Sequence, residues 1–289
     1  MGDSPLDTYG SSDFASFRDL LIDRGLSISS IRRIFGTVRA VVNLTIQEQG
    51  LGCANGFSKI YLPGEEAEKR QPIPTDELII IQNKCFEIAD ERRLLLALIS
   101  DTGMRLSEAL GLVWGDIDLK HKHPHINLVP HPWRPLKTSG SKRLVPLVGA
   151  SLEAIKIMHQ QGVNHSFLFK SYTNKTSCNG NSASAALNKW VKAYTEHGVV
   201  HSFRHSFRDR LREAEVDLEL MDQLGGWACS SVGQSYGTGH TLEQKHKAMQ
   251  RIVFGQIAIG RNLLTDQCVT SCVVRSVAHR GGVHFLTTA

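Results

Sequence analysis

Cysteine is sparse in this 289-residue chain. There are six, at positions 53, 85, 178, 229, 268 and 272, scattered except for the last two. Such usage excludes a disulfide-stapled secreted scaffold and fits free thiols in a reducing cytosol. His279 and His284 follow Cys268 and Cys272, but the gap between the pairs is too short for the usual zinc finger, so no metal is assigned. Long apolar runs are lacking as well. The longest strongly apolar stretch, 94–99, is far too short to span a bilayer. The first residues, Met1-Gly-Asp-Ser-Pro5, are acidic and polar rather than basic then apolar. No signal peptide and no membrane partner are therefore expected, and the location expected is cytoplasmic. Neither sign of charge dominates: Lys and Arg number 33 against 28 Asp and Glu, for a net charge of +5. A balance this mildly basic favours a polyanionic partner only where the charge is clustered.

What is present is enough apolar material, 41% of residues, to bury a core in one large domain or two ordinary ones. Residues 12–50 read as two helices. The second starts at an N-cap signal, Ser29-Ser30, and carries Ile31, Phe35, Val38 and Val42 at helical spacing. Arg32, Arg33 and Arg39 lie off that stripe, on a face that is either solvated or turned to a polyanion. Residues 63–74 are rich in proline and charge and read as a linker. Thr75 then caps a helix, another runs through 91–100, and a break at Thr102-Gly103 precedes a restart near Arg105. Short strand-like runs follow at Ile117-Asp-Leu, at His125-Ile-Asn-Leu-Val and at Arg143-Leu-Val-Pro-Leu. Helices are expected at 150–160, 182–197, 201–214, 217–225 and 241–254. No sustained period marks the chain after residue 265. The expected class is mainly α with a small antiparallel sheet (α+β).

Four stretches hold isolated polar groups beside apolar anchors. In Thr102-Gly-Met-Arg-Leu-Ser-Glu-Ala-Leu-Gly-Leu112, Arg105 and Glu108 stand at i, i+3 beside a buried face. Residues 136–147 look like a β-hairpin whose tip region displays Lys137, Lys142 and Arg143. Residues 201–208 read His-Ser-Phe-Arg twice, which on a helix gathers His201, Arg204, His205 and Arg208 within an arc of about 100°. Phe203, Phe207 and Leu211 take the adjacent apolar face. The like-charged Arg204/Arg208 pair costs a few tenths of a kcal/mol unless an anion answers it. Fourth, glycines flank Trp227 and Tyr236 in the stretch 224–237. Each piece alone reads equally as a solvated face, a surface ion pair or an ordinary aromatic.

Taken together, these residues resemble the tyrosine recombinase (phage integrase) family over roughly residues 73–250, and more weakly in the helices before the linker. The order and spacings are the family's: Arg with Ser-Glu after a Thr-Gly break, a hairpin Lys-Thr, His-x-x-Arg-His, and a Tyr nine residues after Gly-Trp. The resemblance implies a helical core-binding-like domain at 1–62, a catalytic domain at 75–255 and a tail at 256–289. The first region is short for the family's core-binding domain, and the tail runs longer than a single exchanged helix needs. It implies Arg105, Lys137, His201, Arg204, Trp227 and Tyr236 as catalytic residues with Glu108 in support. The spacing to Trp227 and Tyr236 selects the first His-Ser-Phe-Arg copy. Lys142 shares the hairpin with Lys137 and is the alternative lysine. Expected DNA contacts are Arg32, Arg33, Arg39, Lys142, Arg143 and Arg208. In Arg208's case, buttressing of the site or pairing with a carboxylate is the alternative.

The chemistry accounts for that set. Attack on a phosphodiester builds charge on nonbridging oxygens, which planar guanidiniums can pair with two at a time. A tyrosine hydroxyl, with a pKa near 10, needs neighbouring cations or a base to attack as phenolate. The reading is a site-specific DNA recombinase acting through a 3′-phosphotyrosine, bound to double-stranded DNA as a homo-tetramer on paired sites, with accessory DNA-bending proteins as further partners. It needs no cofactor. A DNA-binding protein that keeps the fold without the chemistry, and a type IB topoisomerase-like relaxing enzyme, are the competing readings. The helix near 242–254, with apolar Leu242, Ala248, Met249, Ile252 and Val253, is expected to dock on a neighbouring protomer. Because Arg105, Arg204 and Lys137 would supply the charge of a divalent ion, covalent complex formation on a nicked suicide substrate should survive excess EDTA, checked by denaturing gel.

Overall fold

The computed structural model describes residues 4–64, 70–162, 165–227 and 239–255. Tyr236, Cys229, the stretch after residue 255 and its Cys and His residues lie outside the described residues. The chain divides into two compact units, Met1–Lys69 and Arg70–Ala289.

In the first unit, α1 (Ser11–Asp23) and α2 (Ile28–Gln49) pack through Phe14, Leu21, Ile31, Phe35 and Phe57. Phe57 is the hub, with its ring 4.4 Å from Phe14 and 5.4 Å from Phe35. The α2 cap is Ser27, whose hydroxyl accepts from the Ser30 amide, rather than Ser29-Ser30 as the sequence indicated. Arg32 and Arg33 are exposed on α2. Arg39 is instead turned inward, donating through Nε and Nη2 to the Phe57 carbonyl, which removes much of its guanidinium from a DNA-facing role.

The second unit is built around α4 (Glu91–Thr102). Every residue from Leu94 to Thr102 is buried, as a helix apolar on all sides requires. It packs against α3 (Thr75–Ile88), α6 (Gly149–Gln160) and α8 (Ser202–Glu213). Thr75 is the first helical residue of α3, and Pro74 occupies the cap position. Ile73, expected in the linker, is buried in this unit's core, and its amide donates to Ser206 Oγ at 2.7 Å. α4 stops at Gly103, in the left-handed region at φ 58°. A Cβ there would lie 2.3 Å from the Phe207 ring, so glycine serves both the turn and the close approach of α8.

Past that turn comes the short α5 (Leu106–Leu110), followed by a three-stranded antiparallel sheet in the order β1 (Ile117–Asp118), β2 (His125–Leu128), β3 (Arg143–Pro146). The register pairs Ile117 with Ile126 and Ile126 with Val145. The expected hairpin at 136–147 is therefore a β2–β3 pair joined by a long loop, 129–142. Arg134 folds that loop back. It is 1% exposed, donates to the Glu108 and Val129 carbonyls and ion-pairs with Asp116. α7 (Gly180–Val191) begins earlier and ends sooner than its sequence period indicated, capped by Asn179.

α9 (Leu218–Gly225) and α10 (Leu242–Gln250) complete the unit. Ala248, Met249 and Ile252 are buried in one cluster with Val148, Phe207 and Leu211 of the same chain, and Val253 packs against it. The face expected to dock on a neighbouring protomer is covered within this single chain. Its apolar face has its partner on α8 and on the entry to α6. Arg210 fastens the arrangement from within, ion-pairing with Asp101 at 2.8 Å and donating to the carbonyls of Ser100 and Ile252. Met249→Ala should cost the isolated protomer about 2–5 kcal/mol, read by denaturant unfolding with a midpoint independent of protein concentration.

Candidate active site

The break at Gly103 delivers Arg105 to the N-terminus of α5. Its amide donates to Glu108 Oε2 at 3.1 Å, closing the first turn, while its Nη1 reaches Glu108 Oε1 at 2.6 Å. The same nitrogen donates to Ser141 Oγ, and Nη2 donates to the Gly226 carbonyl. Glu108 is 2% exposed and is shared with a second cation, Arg143 Nη2 at 3.1 Å. Burial works against ionisation of that carboxyl. The field of Arg143 and hydrogen bonds from both arginines outweigh it, holding Glu108 below its ordinary range.

Arg143, expected at the DNA surface, is corrected by this arrangement. It is buried on β3, donating to the Leu224 and Ser141 carbonyls besides its pair with Glu108. The signal was available in the strand alternation, since Arg143 and Val145 share the buried side of β3.

α8 supplies the second wall. Arg204 is 4% exposed and its Nη1 donates to the Gly103 carbonyl at 2.7 Å. Its Nη2 is buried with no hydrogen-bond partner among the described residues. Burial first, then the charges of Arg105 and Arg143, push this guanidinium down to about 9. It remains cationic at neutral pH, while Arg105 and Arg143 occupy both oxygens of Glu108. The Arg204 Cζ lies 4.4 Å from the Trp227 ring centroid. His201 sits at the N-cap of α8, exposed, with its ring 5.3 Å from that of His205. Partial desolvation, then the charges of Arg70, His205, Arg204 and Arg105, push its imidazole down to about 4, leaving it neutral at pH 7.

Arg105, Glu108, Arg204 and Trp227 are thus brought together, with His201 one turn from Arg204. Lys137 and Lys142 are exposed on the β2–β3 loop, and the Lys137 ammonium makes no hydrogen bond or ion pair among the described residues. Arg208 is half-buried and pairs with Asp222 at 3.1 Å, which is the carboxylate alternative for that residue. Tyr236 lies outside the described residues. Sequence reasoning missed Ser141, Asp222 and the carbonyls of Gly103 and Gly226, which orient the arginines. Nothing in the local pattern marks a carbonyl or a lone hydroxyl for such a task. Among the described residues no group of three His, Cys, Asp or Glu side chains is placed to hold a metal ion, and no helix is long and apolar enough to cross a membrane.

The second unit is thus a mainly helical domain with a small antiparallel sheet and an arginine cluster around one glutamate. Residues 75–241, more than half of the chain, match the phage integrase family, and the chain belongs to that family. Over 232 residues it is 26% identical to tyrosine recombinase XerD of Staphylococcus aureus strain N315, covering 75% of this chain and 74% of the relative. It is also 23% identical to tyrosine recombinase XerC of Pediococcus pentosaceus, over 84% of this chain and 81% of the relative. The fold is similar to that of the Tn1549 transposon integrase in complex with circular intermediate DNA (TM-score 0.58, 18% identity, 81% of this chain and 86% of the other). It is also similar to a lambda integrase in a tetramer bound to a Holliday junction (TM-score 0.59, 17% identity, 80% and 68%).

The unpartnered Arg204 Nη2 calls for an oxyanion. Sodium sulfate should therefore raise the melting temperature more than sodium chloride of equal ionic strength, and the difference should shrink in Arg204→Gln. At about ten times its Kd, one bound anion adds about 1.4 kcal/mol, or roughly 3–6 °C for a unit of this size, measurable by calorimetry.

Proposed function

We propose that this protein is a site-specific DNA strand transferase that cuts and rejoins duplex DNA through a covalent 3′-phosphotyrosine. The observation that carries the reading is the buried Nη2 of Arg204, without a hydrogen-bond partner among the described residues, near Arg105 and Arg143, which already share Glu108. Such a cluster is over-supplied with positive charge until a phosphodiester enters, and the charge grows more useful as the phosphorane forms.

In this reaction Tyr236 Oη attacks the scissile phosphorus and the bond from phosphorus to the 5′-oxygen breaks. His201, neutral at pH 7, accepts the tyrosine proton. Lys137, on the exposed β2–β3 loop, gives a proton to the departing 5′-oxygen. Arg105 and Arg204 pair with the nonbridging oxygens, Trp227 donates its indole N–H, and Glu108 holds Arg105 in register. Because the phosphotyrosine keeps the bond energy, rejoining to a new 5′-hydroxyl needs no nucleotide cofactor.

Relatives named tyrosine recombinases and a structural neighbour solved as a tetramer on a Holliday junction support action on two paired sites by four protomers. We place this work on cytoplasmic DNA, with Arg32, Arg33 and Lys142 as exposed candidates for phosphate contacts and accessory bending proteins as further partners.

The test is incubation with DNA carrying the flanks of the protein's own gene, followed by mapping of covalent junctions. Wild type should trap protein on the 3′ side of one position, Tyr236→Phe should trap none, and Arg204→Ala should slow trapping by about 10²–10³ at saturating protein. Gel shifts with no covalent product would replace the proposal with a pure DNA binder. Relaxation of supercoils without site preference would replace it with a topoisomerase.

A further inference from the structure

The second His-Ser-Phe-Arg copy is not absorbed by the chemistry above, yet its arginine is not a free surface group. The Arg208 Cζ stands 4.4 Å from the Trp227 ring centroid, the same separation as that of Arg204. The indole thus contacts two guanidiniums that come from successive turns of α8, with Phe207 stacked at 6.5 Å. Arg208 is itself ion-paired with Asp222, a 5% exposed carboxylate on α9, its Nη2 lying 3.1 Å from Oδ1 in charge contact without hydrogen-bond alignment. The backbone carbonyl of that same Asp222 accepts from the Trp227 amide at 3.0 Å. One residue therefore fixes Trp227 twice, at its backbone directly and at its ring through Arg208.

From this geometry we infer that Arg208 and Asp222 are positioning residues that hold the Trp227 indole against Arg204 and so set both for the scissile phosphate. The inference rests on the strand-transfer reading, which it deepens. Two guanidiniums over one indole are each attracted to its face but repel each other, and Asp222 neutralises the outer one. Among the described residues Arg204 has no such partner: its Nη2 is buried without a hydrogen bond, and its guanidinium is placed by the Gly103 carbonyl and the Trp227 face. The pair thus separates the two arginines by task. The outer cation is compensated and structural, and the inner cation is left for the phosphate. Asp222 is not a ligand for the DNA in this arrangement, and Arg208 spends its charge inside the protein.

A double-mutant cycle tests it. Arg208→Ala and Trp227→Phe are each compared with wild type, and together, in single-turnover phosphotyrosine formation at saturating protein on one suicide substrate. Misplacement of a positioned group costs up to about 10²-fold, and the loss from Arg208→Ala should largely vanish in the Trp227→Phe background. Arg208→Lys, which keeps the charge but not the planar fork, should restore only part of the rate. Asp222→Asn should behave like Arg208→Ala, which guards against either variant being merely misfolded. Additive losses in the cycle would overturn the inference. So would an unchanged rate accompanied by a salt slope of binding lower by about one, which marks a phosphate contact. A second arm needs no activity. Acrylamide quenching of the Trp227 emission, taken as the difference from Trp227→Phe, should rise in Arg208→Ala and Asp222→Asn, and unchanged quenching would overturn the proposal. A wild-type protein that forms no covalent complex on any substrate would sink the strand-transfer reading, while the quenching arm would still decide this one.

Discussion

Glu108 is the carboxylate on which the arrangement of the catalytic unit depends. The guanidiniums of Arg105 and Arg143, 38 residues apart in sequence, converge on its two oxygens, and through them α5, β3 and the α9 terminus are fixed to one another. Removing one partner from a buried ion pair costs about 3–5 kcal/mol because the other charge stays buried and unpaired. At Glu108 the loss would strand two. The site thereby makes its own rigidity conditional on a charge that its substrate does not touch. Arg143 and Arg105 both belong to this frame, while Arg204 stands outside the pair, its Nη2 without a hydrogen bond among the described residues.

Much of this was legible in the sequence, for physical reasons that differ by element. The helices declared themselves through apolar period, and the break at Thr102-Gly103 through the one residue able to turn left-handed beneath Phe207. The short strands were marked by alternation, although the loop between β2 and β3 was misread as part of a hairpin because Arg134, the residue that folds it back, looks like any surface arginine in isolation. The same blindness hid Arg143 and the Arg210–Asp101 pair, whose members are 109 positions apart. Local pattern distinguishes apolar from polar. It does not say which charges have found a partner across the core.

α10 shows the complementary limit. Ala248, Met249, Ile252 and Val253 announced that a covering surface was needed, which is all that an amphipathic period can announce. Whether that surface belonged to this chain or to another copy depended on Phe207, Leu211 and Val148, none of them near α10 in sequence. The doublet at 201–208 had the same ambiguity. Its two arginines share a face and a spacing within the doublet, and in the structure Asp222 pairs with the second of them and not the first.

The bond between Ile73 and Ser206 has a practical corollary. Ser206 lies two positions after Arg204, between Arg204 and Arg208 on α8, and its hydroxyl both accepts from the Ile73 amide and donates to the Ile73 carbonyl. The strand of chain entering the catalytic unit is therefore stitched to the helix that bears its chemistry. An excised catalytic fragment that starts at the first helical residue, Thr75, would lack that stitch and expose a buried hydroxyl on α8. A fragment that keeps the stitch has to begin upstream of Ile73, among residues that look in the sequence like a dispensable tether.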